Sequence, residues 1–292
     1  GAAPGKRRVV VCVASTANRV ARMRPAWESI RKQTVLADAF YLSLAEGVAV
    51  PDFIREDGGV TVLRHAVDPL SDQDLGPVHK LLDCARAEPD PRTRLITFDD
   101  DMVLDASLAA RLVAASDDHP GAAVGFSGWC ASPMFLARNP PAFVHLDFVA
   151  QHSDPGELPG AVDVLEGYAG VLYPRGVVDL EMLASFASAP AEARFCDDVW
   201  ISGHLAARRV PRLVVPLYLA LPEDTPRSPE GGLALSFMFA RIWAHGGLAP
   251  PLPPAGEGGG AAQERLKAHP GRARRNLVTV RYFAEAGAWA AE

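Results

Sequence analysis

The chain has 292 residues, 49% of them hydrophobic, enough for the core of one large α/β domain and too many for a disordered chain. Its formal net charge is −6 and it has no long basic run, which disfavours non-specific nucleic-acid binding, because that binding needs a cationic surface. No apolar stretch approaches the roughly 18–20 residues of a membrane span.

Lys6, Arg7 and Arg8 lead into the apolar run 9–14, which reads as a buried first strand rather than a signal peptide, since Asn18, Arg19 and Arg22 follow it closely. Residues 15–19 form the loop after it. Residues 23–33 have helical spacing, with Pro25 in the first turn and Trp27 and Ile30 facing inward. Strands are expected at 39–44 and 60–63. Gly76 and Pro77 open a helix to about Ala87, a buried strand at 94–98 ends in three aspartates, and a helix covers 107–115. Alternating strands and helices predict an α/β fold, a three-layer sandwich around a mostly parallel sheet. In such sheets ligands bind at the carboxyl ends of the strands, where loops 15–19 and 99–101 both fall.

Residues 127–158 are loop-rich and carry Trp129, Phe135, Phe143 and Phe148. Residues 162–173 read as a strand broken by glycines, 178–187 and 197–207 as helices, and 212–217 as a short strand. Proline and glycine dominate 246–260. The expected organisation is a catalytic domain over 1–245, a flexible connector over 246–261 and a partly helical tail over 262–292 that adds little to the core. Cys12, Cys84, Cys130 and Cys196 are far apart and form no C-x-x-C pair, so buried free thiols are expected.

Asp99, Asp100 and Asp101 are the sharpest feature. Adjacent carboxylates repel one another unless they are solvated, protonated or neutralised by a cation, and a divalent metal such as Mn2+ or Mg2+ takes oxygen ligands. If the strand continues, Asp99 and Asp101 face one side and Asp100 the other. Read alone, the triplet is equally an acidic turn. Asp197 and Asp198 read alone as a helix cap; beside a metal site, one of them can serve as the base that deprotonates an acceptor hydroxyl. Glu166, Tyr168 and Gly170 follow an apolar run and offer either sugar contacts or a bulged strand. Lys80 and Arg19 are cations placed to meet the triplet or a phosphate. His79, His145, His152 and His204 each read as structural or exposed.

The ordered set of Ser15–Arg19, GPVHK at 76–80, LITFDDD at 95–101, VLEGYAG at 164–170 and CDDVWISGHLA at 196–206 resembles GT-A-fold glycosyltransferases, particularly family-2-like ones. The resemblance spans residues 9–219. It implies a Rossmann-related fold and transfer of a sugar from a nucleotide-diphosphate donor, with uridine as the default base, to a glycan or other hydroxyl acceptor. By this resemblance Thr16 and Arg19 line the nucleotide pocket and Lys80 sits beside the diphosphate. Asp99 and Asp101 act as the D-x-D pair, with Asp101 and Asp99 on the metal and Asp100 as a competing assignment. Glu166, Tyr168 and Gly170 shape the sugar and acceptor side. Asp198 is the base, with Asp197 second, and the transfer inverts. The chain is expected to be soluble as given, cytoplasmic, or Golgi-lumenal if an anchor precedes it. Three rival readings stay open. Asp99-x-Asp101-x-Val103 also fits a haloacid-dehalogenase-like phosphohydrolase, a nucleotidyltransferase shares the fold type, and an inactive carbohydrate-binding domain is the third.

Overall fold

A computed structural model describes residues 7–66, 75–131, 147–148, 160–215, 239–241 and 270–289. Its centre is an eight-stranded sheet. The β-branched run Val9–Ala14 forms β1, flanked by β2 (Ala39–Ala45) and β4 (Arg94–Phe98), with β3 (Val60–His65) outside β2. These four strands are parallel, which brings the ends of β1 and β4 to the same edge. β5 (Met102–Leu104) pairs outside this sheet with β13 (Phe239–Arg241). On the other side of β4 the sheet continues through β11 (Val171–Pro174), β6 (Ala123–Gly125), β12 (Arg212–Val214) and β9 (Gly160–Ala161). β11 runs antiparallel to both its neighbours, and β9 antiparallel to β12. A small antiparallel sheet joins β7 (Gly128–Cys130) to β8 (Asp147–Phe148) and β10 (Val164–Leu165).

The central strands read as unbroken apolar runs because both faces are covered. Val9, Val11 and Val13 pack into one core, with Trp27 and Ile30 of α1 (Arg24–Arg31) and Leu108 and Leu112 of α4 (Leu108–Asp118). Short α2 (Asp52–Arg55) adds Ile54 there. Val10 and Cys12 face the other core. It contains Leu81 and Leu82 of α3 (His79–Ala87), Leu183 of α5 (Leu180–Ala184), Trp200 of α6 (Asp197–Ala207) and Phe283 of α7 (Pro270–Glu285). Helices on both faces of a mostly parallel sheet make the three-layer α/β architecture the sequence predicts. Among the described residues no helix is long and apolar enough to cross a membrane.

Several expectations change. The segment 162–173 is not one strand: β10 ends at Leu165, a 3₁₀ turn takes Gly167–Ala169, and β11 starts at Val171. Cys12 and Cys84 are not free thiols but a disulfide, because β1 turns Cys12 onto α3 and sets the two Cα atoms 6.0 Å apart. Cys130 and Cys196 stay outside any disulfide; Cys196 is buried as expected, whereas Cys130 is only half-buried. The tail adds to the core after all. Leu277, Val280 and Phe283 are buried against α6, where Gly203 leaves room for the Phe283 ring. Phe135, Phe143, His145, His152 and the connector 246–260 lie outside the described residues.

Candidate active site

β4 ends at Phe98, and the three aspartates form a turn before β5. Strand alternation therefore does not sort their side chains as the sequence reading assumes. Asp100 turns inward and is only 6% exposed. Its carboxylate accepts from Ser15 Oγ at 2.5 Å and pairs with the Arg19 guanidinium. Burial pushes its pKa up to about 6, against the pull of Arg19 and Ser15. Arg19 also lies 3.2 Å from Asp101, so one cation from the loop after β1 serves two of the three aspartates. Asp99 points elsewhere, to Lys80 Nζ at 2.8 Å.

Thr16 is exposed, and its carbonyl accepts from the backbone N–H groups of Arg19 and Val20. That turn sets Arg19 over the triplet. Lys80, in the first turn of α3, also reaches Asp197, at 2.7 Å. Desolvation works against the charge of this buried ammonium. The carboxylates of Asp197 and Asp99 outweigh that, and its pKa stands well above the ordinary value. Lys80 thus ties the strand-end triplet to the acidic pair that opens α6.

Both aspartates lie in the first turn of α6, where the dipole favours them, but neither caps it. The N-cap position is Cys196, without a side-chain cap bond. Asp197 faces Lys80, and Asp198 Oδ1 accepts the Gly167 N–H at 2.9 Å. Burial, then the neighbouring Asp197 charge, raises the Asp198 pKa well above the usual carboxylate range. Gly167 is the hub of the centre. A Cβ there would stand 2.7 Å from Lys80 Nζ, 3.0 Å from Asp198 Oδ1 and 3.6 Å from Asp99 Oδ1. Glu166, just before it, accepts from Ser127 Oγ at 2.6 Å. The Tyr168 hydroxyl, with burial as the main cause and Glu166 next, is pushed up to about 12. Gly170 has a backbone role: its φ is +97°, and a Cβ would come within 2.4 Å of the Phe98 ring.

The structure therefore brings Arg19, Lys80, Asp99, Asp100, Asp101, Glu166, Tyr168, Asp197 and Asp198 into one electrostatic cluster. Thr16 and Gly170 join it only through the backbone. Ser15, Ser127 and Gly167 are site residues that sequence reasoning missed. Ser15 and Gly167 fall within motifs it quoted, but only the folded contacts reveal their partners. Within the cluster, five carboxylates (Asp99, Asp100, Asp101, Asp197, Asp198) act on the two cations Lys80 and Arg19, and a sixth, Glu166, acts on Asp198. A surplus of hard oxygen donors is the chemistry that Mn2+ or Mg2+ takes, although no three of these carboxylates are found with ligand atoms within 4.8 Å of one another among the described residues.

No protein-family model matches the chain, and no curated protein matches it. Among solved structures it is similar to a 4-diphosphocytidyl-2C-methyl-D-erythritol synthase, at 12% identity and a TM-score of 0.47, over 75% of this chain and 95% of that one. It is also similar to residues 1–349 of TarS from S. aureus in complex with UDP, at 12% identity and a TM-score of 0.40, over 72% and 59%. An active-site mutant of LgtC gives 15% identity and a TM-score of 0.34, over 60% and 61%.

Proposed function

We propose that the chain is a metal-dependent glycosyltransferase that moves a sugar from a nucleotide-diphosphate donor to an acceptor hydroxyl, with inversion. The observation that carries this reading is the Lys80 bridge, 2.8 Å to Asp99 and 2.7 Å to Asp197. It joins a carboxylate cluster suited to a cation and diphosphate with a separate, buried carboxyl suited to proton transfer.

In this reading Asp198 is the base. A carboxyl raised by burial is a stronger base once ionised, and general-base chemistry favours a pKa near the working pH. As the acceptor oxygen bonds to the anomeric carbon and the bond to the diphosphate breaks, the hydroxyl proton passes to Asp198. The Gly167 N–H bond fixes the carboxylate while this happens. Asp197 keeps Lys80 charged beside the diphosphate. Arg19 and the Thr16 turn border the nucleotide, while Glu166 and Tyr168 border the sugar and acceptor. Asp101 and Asp99 would hold a divalent cation, which supplies Lewis-acid neutralisation of the leaving diphosphate. Asp100, already engaged by Ser15 and Arg19, supports the loop.

Calorimetric titration with UDP and UDP-sugars, with and without Mn2+, tests the proposal. Expected is Mn2+-dependent binding that Asp101→Ala abolishes without unfolding the protein. Absence of nucleotide-sugar binding, together with hydrolysis of a generic phosphate ester, would favour a phosphohydrolase. Binding of nucleoside triphosphates alone would favour a nucleotidyltransferase.

A further inference from the structure

A second cluster of titratable side chains forms where β2, β3 and α3 meet. His65 is the last residue of β3, His79 the first of α3, and Asp83 follows one helical turn later. The two imidazoles stack, with ring centroids 3.6 Å apart and planes within 7°. Each turns Nδ1 to the same carboxylate, His65 at 3.2 Å and His79 at 3.1 Å. Ser43 Oγ donates to Asp83 and lies 3.1 Å from His65 Nδ1. One ligand-type atom from each of His65, His79 and Asp83 lies within 4.8 Å of the other two. His79 and Asp83 are buried, and His79 Nε2 has no hydrogen-bond partner. Arg86, half exposed, also lies 3.6 Å from Asp83.

We propose that His65, His79 and Asp83 form a zinc-type metal site, separate from the acidic centre, that fastens the start of α3 to β2 and β3. Two imidazoles and one carboxylate are the donor mixture that suits zinc, whereas the all-oxygen centre suits magnesium or manganese. At 3.1–3.2 Å the contacts to Asp83 lie at the long end of the hydrogen-bond range. Ligand atoms at about 2.0–2.1 Å from a tetrahedral zinc lie about 3.3–3.4 Å apart, close to these separations. Imidazole lone pairs lie in the ring planes, so ligation turns one ring out of the stack. Ser43 Oγ or a water completes the coordination. His79 immediately precedes Lys80, so the metal fixes the turn that presents the ammonium to Asp99 and Asp197. The proposal does not rest on the glycosyltransferase reading.

The test is titration of the chelator-treated full chain with Co2+, followed by its visible ligand-field bands. Expected are the intense bands of tetrahedral coordination, which saturate at one tetrahedral Co2+ per chain and are displaced by Zn2+. His65→Gln and Asp83→Asn should remove those bands, and the double variant Asp99→Asn/Asp101→Asn should keep them. Circular dichroism reports whether each variant folds. Wild-type protein without tetrahedral bands overturns the proposal, as do bands that persist in folded His65→Gln. X-ray absorption on the Zn2+-loaded wild type is independent of any variant. It should show imidazole ligands, and an oxygen-only shell overturns the proposal.

Discussion

Lys80 and Gly167 together decide how close the acidic groups come. Gly167→Ala should keep the fold but move the ammonium, since the new methyl would stand 2.7 Å from it. A loss of donor affinity in calorimetry by a variant that still unfolds cooperatively is the expected signature. Lys80 is half legible in this role, since the sequence places it to meet the triplet or a phosphate but equally allows a solvated lysine, whereas Gly167 reads only as part of a bulged strand. Asp198→Asn should lower turnover by about 10²–10⁴-fold while donor and metal binding stay near wild type. Its stability effect has the opposite sign. The folded-state pKa of Asp198 lies above the unfolded carboxylate value of about 3.9, so between the two the native state holds the extra proton. Wild-type stability contributed by this group is present at acid pH and is lost as pH rises through the folded pKa. The asparagine variant should lack that decline and be the more stable protein at neutral pH. Melting curves across a pH series with a chelator present measure this, and parallel curves for the two proteins would refute it.

At the scale of elements, legibility follows how local the signal is. The helix 197–207 is readable to the residue because two aspartates open it and an apolar run sustains it. The run 94–98 is equally plain, being continuous and bounded by the triplet. The segment 162–173 misleads because a periodicity argument sees glycines as interruptions of a strand. Here they build a turn: Gly167 brings the backbone N–H to Asp198, and Gly170 passes the Phe98 ring with φ +97°. Gly170→Ala meets both penalties, a left-handed backbone and a ring 2.4 Å away. It should destabilise by more than the roughly 1 kcal/mol that a compatible Gly→Ala change gains. Because Phe98 leads directly into Asp99, the variant should also weaken metal-dependent donor binding. A variant with wild-type melting and wild-type affinity would show that the 167–170 turn does not brace the triplet.

At the scale of the whole molecule, the sequence conceals two long-range fastenings. The glycine-rich stretch before 262 makes the tail look dispensable, yet Phe283 packs beside Trp200, Tyr282 and Trp289 and against the bare backbone of Gly203. No local pattern announces a ring seated on a glycine so much earlier in the chain. Phe283→Ala should cost about 3–5 kcal/mol in chemical denaturation, the range for a buried phenylalanine, where a loose tail would cost nothing. The other fastening is the Cys12–Cys84 disulfide, hidden because its cysteines are 72 positions apart in sequence. It joins β1, whose following loop carries Ser15 and Arg19, to α3, which carries Lys80. In the chain-entropy account a loop of this length is worth about 4 kcal/mol, since the cross-link restricts the unfolded chain. Cys12→Ser/Cys84→Ser should therefore melt well below the oxidised wild type. Reduced wild type should melt with the double variant, which separates loss of the cross-link from loss of packing. Intact-mass measurement under denaturing, non-reducing conditions should find the wild type two hydrogens lighter than its reduced form. Equal melting of oxidised and reduced wild type would mean the cross-link adds nothing to stability, and the packing of α3 on β1 would then hold the two cations in place by itself.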